Sequence, residues 1–275
     1  MHLTDKLVGL QKIFILLKFG IRFSRSFQWA LPEFAETWKQ ILLNPEFAET
    51  HGQLIWKTRN KKVYSVNLPE HDVYPVFALK TCDGVKPLRY LFRCSKGTLE
   101  GVNLKLMEQL GFPMVRLLAI ADKRCFFYLK KTYLVTEFAV GFRDGRDFMP
   151  KGIHREDQHL KQLFVQDNLK LLAKLHQYHC YHKGFQPYNL LWKYDQDSGE
   201  FHTRWLDVAS CRFMLLPEKM FHRYIIKDLA EFFYRMAFDE TEMQQWSEYY
   251  LQFNPDCKLS FTKMLPGLRK GQKPH

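Results

Sequence analysis

Apolar positions divide the chain into segments of different period. Leu7, Leu10, Ile13, Leu17 and Ile21 recur at steps of three and four, which predicts an amphipathic helix near the start. Its charges, Lys6, Lys12, Lys18, Arg22 and Arg25, suit either the surface of an anionic bilayer or solvent beside a helix packed on the main domain. Residues 1 to about 50 read as helical throughout. Gln53–Lys57, Val63–Leu68 and Val76–Cys82 are short, rich in β-branched and aromatic residues, and separated by turn-like stretches; they predict three antiparallel strands. Leu99, Val102, Leu106 and Leu110 return to helical spacing, closed by Gly111 and Pro113. Val115–Ile120 and Phe126–Phe138 predict two more strands, giving the order β-β-β-α-β-β.

After Gly141 helices dominate. Leu160, Leu163, Phe164, Leu171, Leu172 and Leu175 mark a long amphipathic helix. Tyr188–Lys193 and His202–Asp207 predict a short hairpin, and Ile225–Ala237 and Glu240–Phe253 two further helices. The last dozen residues are basic, hold Pro266, Gly267, Gly271 and Pro274, and read as a frayed tail. The hexapeptide Pro-Glu-Phe-Ala-Glu-Thr occurs at Pro32–Thr37 and again at Pro45–Thr50, too short and too few for a solenoid. The expected organisation is a basic extension over 1–50, a β-rich lobe over 51–138, a helical lobe over 139–257 and a basic tail over 258–275.

Composition adds further constraints. An apolar share of 46% over 275 residues supports a sizeable core. Six cysteines lack CxxC or zinc-ligand spacing and read as reduced, cytosolic thiols. No run of about 18 uncharged apolar residues predicts a membrane span, and Lys12 and Lys18 bracket the apolar run Ile13–Leu17, against an export signal. The net charge of +12, from 41 basic and 29 acidic residues, favours polyanions. No nucleic-acid motif accompanies that charge, so nucleic acid is not the expected partner.

The chemistry concentrates in a few short segments. Val76-Phe77-Ala78-Leu79-Lys80 ends an apolar strand on a lysine, and resembles the motif that aims a fixed cation at nucleotide phosphates. Glu100, on the following helix, is the candidate partner that would hold Lys80; Glu108, near the helix end, is expected to face solvent. Tyr133–Phe138 is an apolar strand ending at Glu137, where a hinge would hold an adenine edge. His182-Lys183-Gly184-Phe185-Gln186-Pro187-Tyr188-Asn189 resembles the catalytic loop H-R-D-L-x-x-x-N. Asn189 would offer an amide oxygen to Mg²⁺. Asp207, 18 residues later and directly after an apolar strand, would supply a carboxylate to the same kind of ion. Asp228 is expected to brace the loop through backbone hydrogen bonds. His176, His179 and His182 lack a further ligand and are not expected to form a metal cluster.

Together these segments predict an α+β, bilobal protein-kinase-like fold, with a small antiparallel β-rich N-lobe and a helical C-lobe. Over residues 53 to 255 the chain resembles the Kdo/WaaP lipopolysaccharide kinase family, which includes the toluene-tolerance and InaA-type proteins. The resemblance is carried by the Glu100 helix running into Leu110-Gly111-Phe112-Pro113, by Tyr133–Glu137, by Ile226-Lys227-Asp228-Leu229-Ala230-Glu231-Phe232-Phe233 and by the helix bearing Tyr249-Tyr250. It implies ATP- and Mg²⁺-dependent phosphorylation of a heptose or Kdo hydroxyl in the lipopolysaccharide inner core. It places that reaction in the cytoplasm, peripheral to the anionic inner-membrane surface. By the same resemblance Lys80, Glu100, His182, Asn189 and Asp207 are the catalytic candidates, with Lys80, Glu137, Asn189 and Asp207 on the nucleotide and Asn189 and Asp207 on the metal.

Two departures stand out. Residues 58–62 lack a glycine-rich loop, and Gly184 stands where the family pattern has its catalytic aspartate. Either the enzyme works without that base, with His182 or another carboxylate in its place, or the chain is a pseudokinase that binds nucleotide or a partner without phosphotransfer.

Overall fold

The computed structural model describes residues 27–44, 46–84, 94–125 and 128–271. The amphipathic helix expected from Leu7 to Ile21 lies outside them. The chain divides into two compact units, Met1–Val140 and Gly141–His275.

The first unit is built on a six-stranded antiparallel sheet. In chain order its elements are β1 (Phe27–Ala30), a 3-10 turn (Pro32–Phe34), α1 (Ala35–Leu43), α2 (Phe47–His51), β2 (Gly52–Lys57), β3 (Lys61–Asn67), β4 (Val76–Asp83), α3 (Lys96–Gln109), β5 (Leu117–Cys125) and β6 (Tyr128–Glu137). The sheet order is β1-β5-β6-β4-β3-β2. Burial alternates along β4, with Phe77, Leu79 and Thr81 buried and Val76, Ala78 and Lys80 half-exposed, as the period of a pleated strand requires.

The expectation of a helical extension ahead of the β-rich lobe needs correction over residues 27–50. β1 pairs with β5, Trp29 opposite Ile120, and closes one edge of the sheet. Phe34, Trp38, Ile41 and Phe47 join Val66, Phe77, Leu79, Leu118 and Val135 in one core. The repeated hexapeptide thereby gains a physical role. Each copy puts its phenylalanine into this core at a helix start, Phe34 at 0% exposure and Phe47 at 3%. The Phe34 ring meets Phe77 edge-on at 5.1 Å, and burying each ring contributes about 1.5–3 kcal/mol.

In α3 the side chain of Ser95 caps the helix by accepting from the Thr98 N–H at 2.9 Å. Ser95 Oγ also donates to the buried carboxylate of Asp122 on β5 at 2.6 Å, which fastens the helix start to the sheet. A Cβ at Gly101 would lie 2.7 Å from Ile120 Cδ1, so glycine there lets the helix sit close on β5.

The second unit is mainly helical: β7 (Arg143–Asp144), α4 (Gln158–Gln177), β8 (Cys180–Tyr181), β9 (Leu190–Tyr194), β10 (Phe201–Trp205), β11 (Arg212–Phe213), α5 (Glu218–Met236), α6 (Glu240–Gln252) and α7 (Phe261–Gly271). Three-residue 3-10 turns at Pro187–Asn189 and Val208–Ser210 flank the β9–β10 hairpin. Asp157 caps α4 by accepting from Leu160 N, and Asp239 with Glu242 forms a reciprocal capping box on α6. Phe164, Val165, Leu169, Leu172 and Leu175 of α4 are fully buried, with Phe232 and Phe233 of α5. Asn168 is a fully buried polar residue in this core. Its amide donates to Phe164 O at 2.8 Å and accepts from Trp205 Nε1 at 2.8 Å.

The frayed tail expected over 258–275 also needs correction. Phe261–Gly271 is helical, and Met264 and Leu268 are both at 0% exposure. Pro266 lies inside the helix and is exposed; its ring removes the N–H that would otherwise bond back to Thr262 O, so the burial of Met264 and Leu268 offsets a local cost. A Cβ at Gly267 would lie 2.5 Å from Ile226 Cγ2, so this glycine sets how closely α7 approaches α5. All six cysteines are free.

Candidate active site

Each unit holds one cluster of the expected residues. In the first, Lys80 lies on β4 between Val63 of β3 and Leu134 of β6, on the face opposite Leu79. Its Nζ donates to Glu100 Oε2 at 2.6 Å. The side chains are 16% and 8% exposed, so the pair is largely withdrawn from water. Removing one partner of such a pair costs about 3–5 kcal/mol, because the other charge is left desolvated and alone. Glu108, the competing glutamate, is exposed and pairs with Lys105 at 3.0 Å. Glu137 closes β6. Its backbone N–H donates to Arg116 O at 2.9 Å, and its Oε1 accepts from Arg116 N at 2.9 Å. The carboxylate therefore helps tie the ends of two strands together.

In the second unit the loop of residues 179–189 is held in an unusual backbone shape. His179 and Lys183 have φ of 49° and 56°, in the left-handed region that costs a non-glycine residue about 1–3 kcal/mol. Asp228, 1% exposed on α5, supplies the restraint. Its Oδ2 accepts from His182 N at 2.8 Å and its Oδ1 from Lys183 N at 2.9 Å. His176 Nε2 lies 3.2 Å from the same Oδ2, and His176 Nδ1 lies 2.7 Å from Tyr250 Oη. An ionised carboxylate only accepts, so Nε2 donates to Asp228, and in the neutral ring Nδ1 is then the acceptor of the Tyr250 hydroxyl. That hydroxyl oxygen in turn accepts from Asn254 Nδ2 at 2.7 Å. Burial pushes the Tyr250 phenol well above its ordinary value, which keeps it protonated as this relay requires. Sequence reasoning anticipated Asp228 but not His176, Tyr250 and Asn254, which are joined only through the packing of α4 on α6.

Asn189 and Asp207 are brought together through the backbone. Asn189 Nδ2 donates to Gly184 O at 3.0 Å, which turns its Oδ1 away as an available acceptor. Leu206 N donates to Asn189 O at 2.8 Å, so Asp207 follows directly from the residue tied to Asn189. Asp207 is exposed and has φ 49°, ψ 51°. An amide oxygen and a carboxylate oxygen are hard donors. Two protein ligands fit an ion such as Mg²⁺, which takes its remaining positions from water and phosphate. Among the described residues, no cluster of three or more His, Cys, Asp or Glu side chains has the arrangement of a metal cage.

His182 departs from its expected role as a stand-in base. Its ring is 0% exposed and packed edge-on against Phe185 at 5.5 Å and Trp205 at 5.4 Å. Neither ring nitrogen has a hydrogen-bond partner among the described residues, and burial lowers its pKa despite the opposing pull of Asp228 and Asp207. With its ring enclosed, His182 packs the loop in this structure and faces no open space where an acceptor would sit. Gly184 differs in the opposite sense. A Cβ built there meets nothing within 4 Å. Packing does not demand glycine at this position.

The family model of the lipopolysaccharide kinase (Kdo/WaaP) family matches residues 87–250, more than half of the chain. No curated protein sequence matches the chain significantly. A solved structure described as "WaaP in complex with acyl carrier protein" superposes with a TM-score of 0.62 at 13% identity, covering 90% of this chain and 98% of that one. That likeness speaks for the fold, which is the α+β protein-kinase-like one. Among the described residues no helix is long and apolar enough to cross a membrane. With its sequence match spanning α3 to α6, the chain belongs to the Kdo/WaaP lipopolysaccharide kinase family.

Proposed function

We propose that this protein is an ATP-dependent kinase that phosphorylates a heptose or Kdo hydroxyl of the lipopolysaccharide inner core, working in the cytoplasm against the inner-membrane surface. The observation that carries this reading is the Lys80–Glu100 ion pair at 2.6 Å, a fixed and mostly desolvated cation of the kind phosphoryl transfer uses. Lys80 would hold nucleotide phosphates, with Glu100 keeping its ammonium in one place. The backbone that follows Glu137 would meet the adenine edge. Asn189 Oδ1 and the Asp207 carboxylate would hold Mg²⁺, which supplies charge neutralisation to the transferring phosphoryl group. Asp228 keeps the loop bearing Asn189 in one conformation, so little reorganisation is needed at the moment of transfer.

Without a carboxylate at Gly184 the acceptor hydroxyl has no dedicated base in this loop. Phosphoryl transfer depends chiefly on positioning and charge stabilisation, so the omission lowers the rate by about 10²–10⁴-fold and does not forbid the reaction. The same glycine is the observation that favours the second reading, a pseudokinase that binds nucleotide without transfer.

The test is transfer of the ATP γ-phosphate to purified lipopolysaccharide core, with ATP binding followed separately. Transfer by the wild type that Lys80→Ala and Asp207→Ala both abolish supports the kinase. Binding of Mg²⁺-ATP with no transfer to any core acceptor supports the pseudokinase. No ATP binding sinks both.

A further inference from the structure

The second unit contains a groove of about 600 Å³ that nothing in the nucleotide and metal assignments uses. Three elements enclose it: the loop after β8, one face of α5, and α7. Its cations are Lys183 from the loop, Arg223 and Lys227 from α5, and Lys270 from α7. Gly184, beside which an acceptor hydroxyl would sit, lines the same groove.

The charge of this groove is unbalanced. Two carboxylates line it, Asp228 and Glu231, against the four cations. Asp228 is already engaged by the N–H groups of His182 and Lys183 and by His176. Glu231 accepts from Gln186 Nε2 and, at 3.2 Å, from Arg235 Nε. Among the described residues no carboxylate pairs with Lys183, Arg223, Lys227 or Lys270. Arg223 and Lys227 instead lie over the Tyr224 ring, at 4.6 and 5.6 Å from its centre. All four cationic residues are exposed. Like charges gathered in one concavity repel one another in the empty state, and an anion relieves that repulsion.

We propose that this groove binds a phosphomonoester carried by the acceptor sugar, and so places the hydroxyl to be phosphorylated beside Gly184. The inference rests on the kinase reading and deepens it by naming what the acceptor must carry. Cations from three separate elements converge on one concavity, a geometry suited to a compact dianion. Tyr181, whose phenol burial pushes up to about 12, stays protonated and adds a neutral donor. α7 is essential to the arrangement, because Lys270 reaches the groove only where Gly267 lets that helix close on Ile226.

The experiment is calorimetric binding of lipid-free core oligosaccharide, as isolated and after phosphatase treatment, to the wild-type protein and to the double variant Lys227→Gln/Lys270→Gln. A parallel arm uses phosphatidylglycerol vesicles. The expected result is at least a tenfold preference of the wild type for the phosphorylated sugar, lost in the double variant while its melting temperature and ATP affinity hold. Equal binding of the two sugars by the wild type overturns the proposal, as does a preference that survives in the double variant. Vesicle binding that depends on these lysines, with no sugar preference, also overturns it and assigns the groove to a lipid headgroup. Absence of phosphate transfer alongside an intact sugar preference would count against the kinase and leave the groove standing.

Discussion

The carboxylate of Asp228 and the backbone N–H of Lys183 meet at 2.9 Å across a separation of 45 residues. This bond and its neighbour to His182 hold a left-handed backbone that the loop does not favour by itself. Asp228→Ala removes both acceptors and leaves two N–H groups facing an apolar gap. Unfolding stability should fall by about 3–5 kcal/mol, read from urea denaturation followed by circular dichroism. A loss below about 1 kcal/mol would show that the loop keeps its shape without the brace.

Lys80 and Glu100 allow a double-variant cycle. Lys80→Met strands Glu100 and Glu100→Gln strands Lys80, so each single change should destabilise the protein. The double variant should recover about 1–3 kcal/mol relative to the sum of the two, since no unpaired charge remains. Phosphate transfer should stay at least about 100-fold down in every variant lacking Lys80. Additive stability losses would mean that the two side chains do not depend on each other.

Gly184→Asp should fold as well as the wild type, within about 0.5 kcal/mol, because the added side chain enters open space. It should also raise the rate of transfer by about 10²-fold, the lower end of what a positioned base contributes. An unchanged rate would indicate that proton removal does not limit the natural enzyme.

His182 links stability to pH. Burial lowers its folded pKa below the ordinary 6.5, so above that value the ring is neutral in both states and full stability is present. As pH falls below 6.5 the unfolded chain takes up a proton that the folded chain refuses, and stability is lost by up to about 1.4 kcal/mol per pH unit. His182→Leu should flatten this loss between pH 7 and pH 5 in denaturation midpoints and leave transfer measurable. Complete loss of transfer in a variant that folds normally would restore His182 to the chemistry.

Leu268 tests the last helix. Leu268→Ala should cost about 2–5 kcal/mol if α7 is part of the core, and nothing if the segment frays. Denaturant midpoints separate the two.

The sequence made some of this legible and hid the rest for identifiable reasons. β3 and β4, the strand that bears Lys80, could be read because alternation over seven or eight residues leaves a strong pattern. Asn189 and Asp207 were singled out by their likeness to a motif, and the backbone bond from Leu206 N to Asn189 O brings their segments together. β1 was not, since the four residues Phe-Gln-Trp-Ala carry too little periodicity and become a strand only by pairing with β5. Residues 32–51 were readable as helix but not as core, because the partners of Phe34 and Phe47 are distant in the chain. Pro266 and Gly267 hid α7: a proline inside a helix and a glycine at a helix contact look the same in sequence as breakers in a tail. The burial of His182 was invisible because the rings enclosing it, Phe185 and Trp205, meet only in the folded unit.

The distance along the chain between the loop and its brace bears on how the protein is made. A nascent chain that has emerged as far as Asp207 already contains Lys80, Glu100, Glu137, Asn189 and Asp207, the residues proposed for nucleotide and metal and the glutamate that holds Lys80. It does not yet contain Asp228, nor Tyr250 and Asn254 behind His176, and so lacks the carboxylate that holds Lys183 in its left-handed shape. The loop of residues 179–189 is thus completed only after α5 and α6 have been synthesised and docked. A protein truncated before Asp228 would possess the parts of a kinase and lack the site.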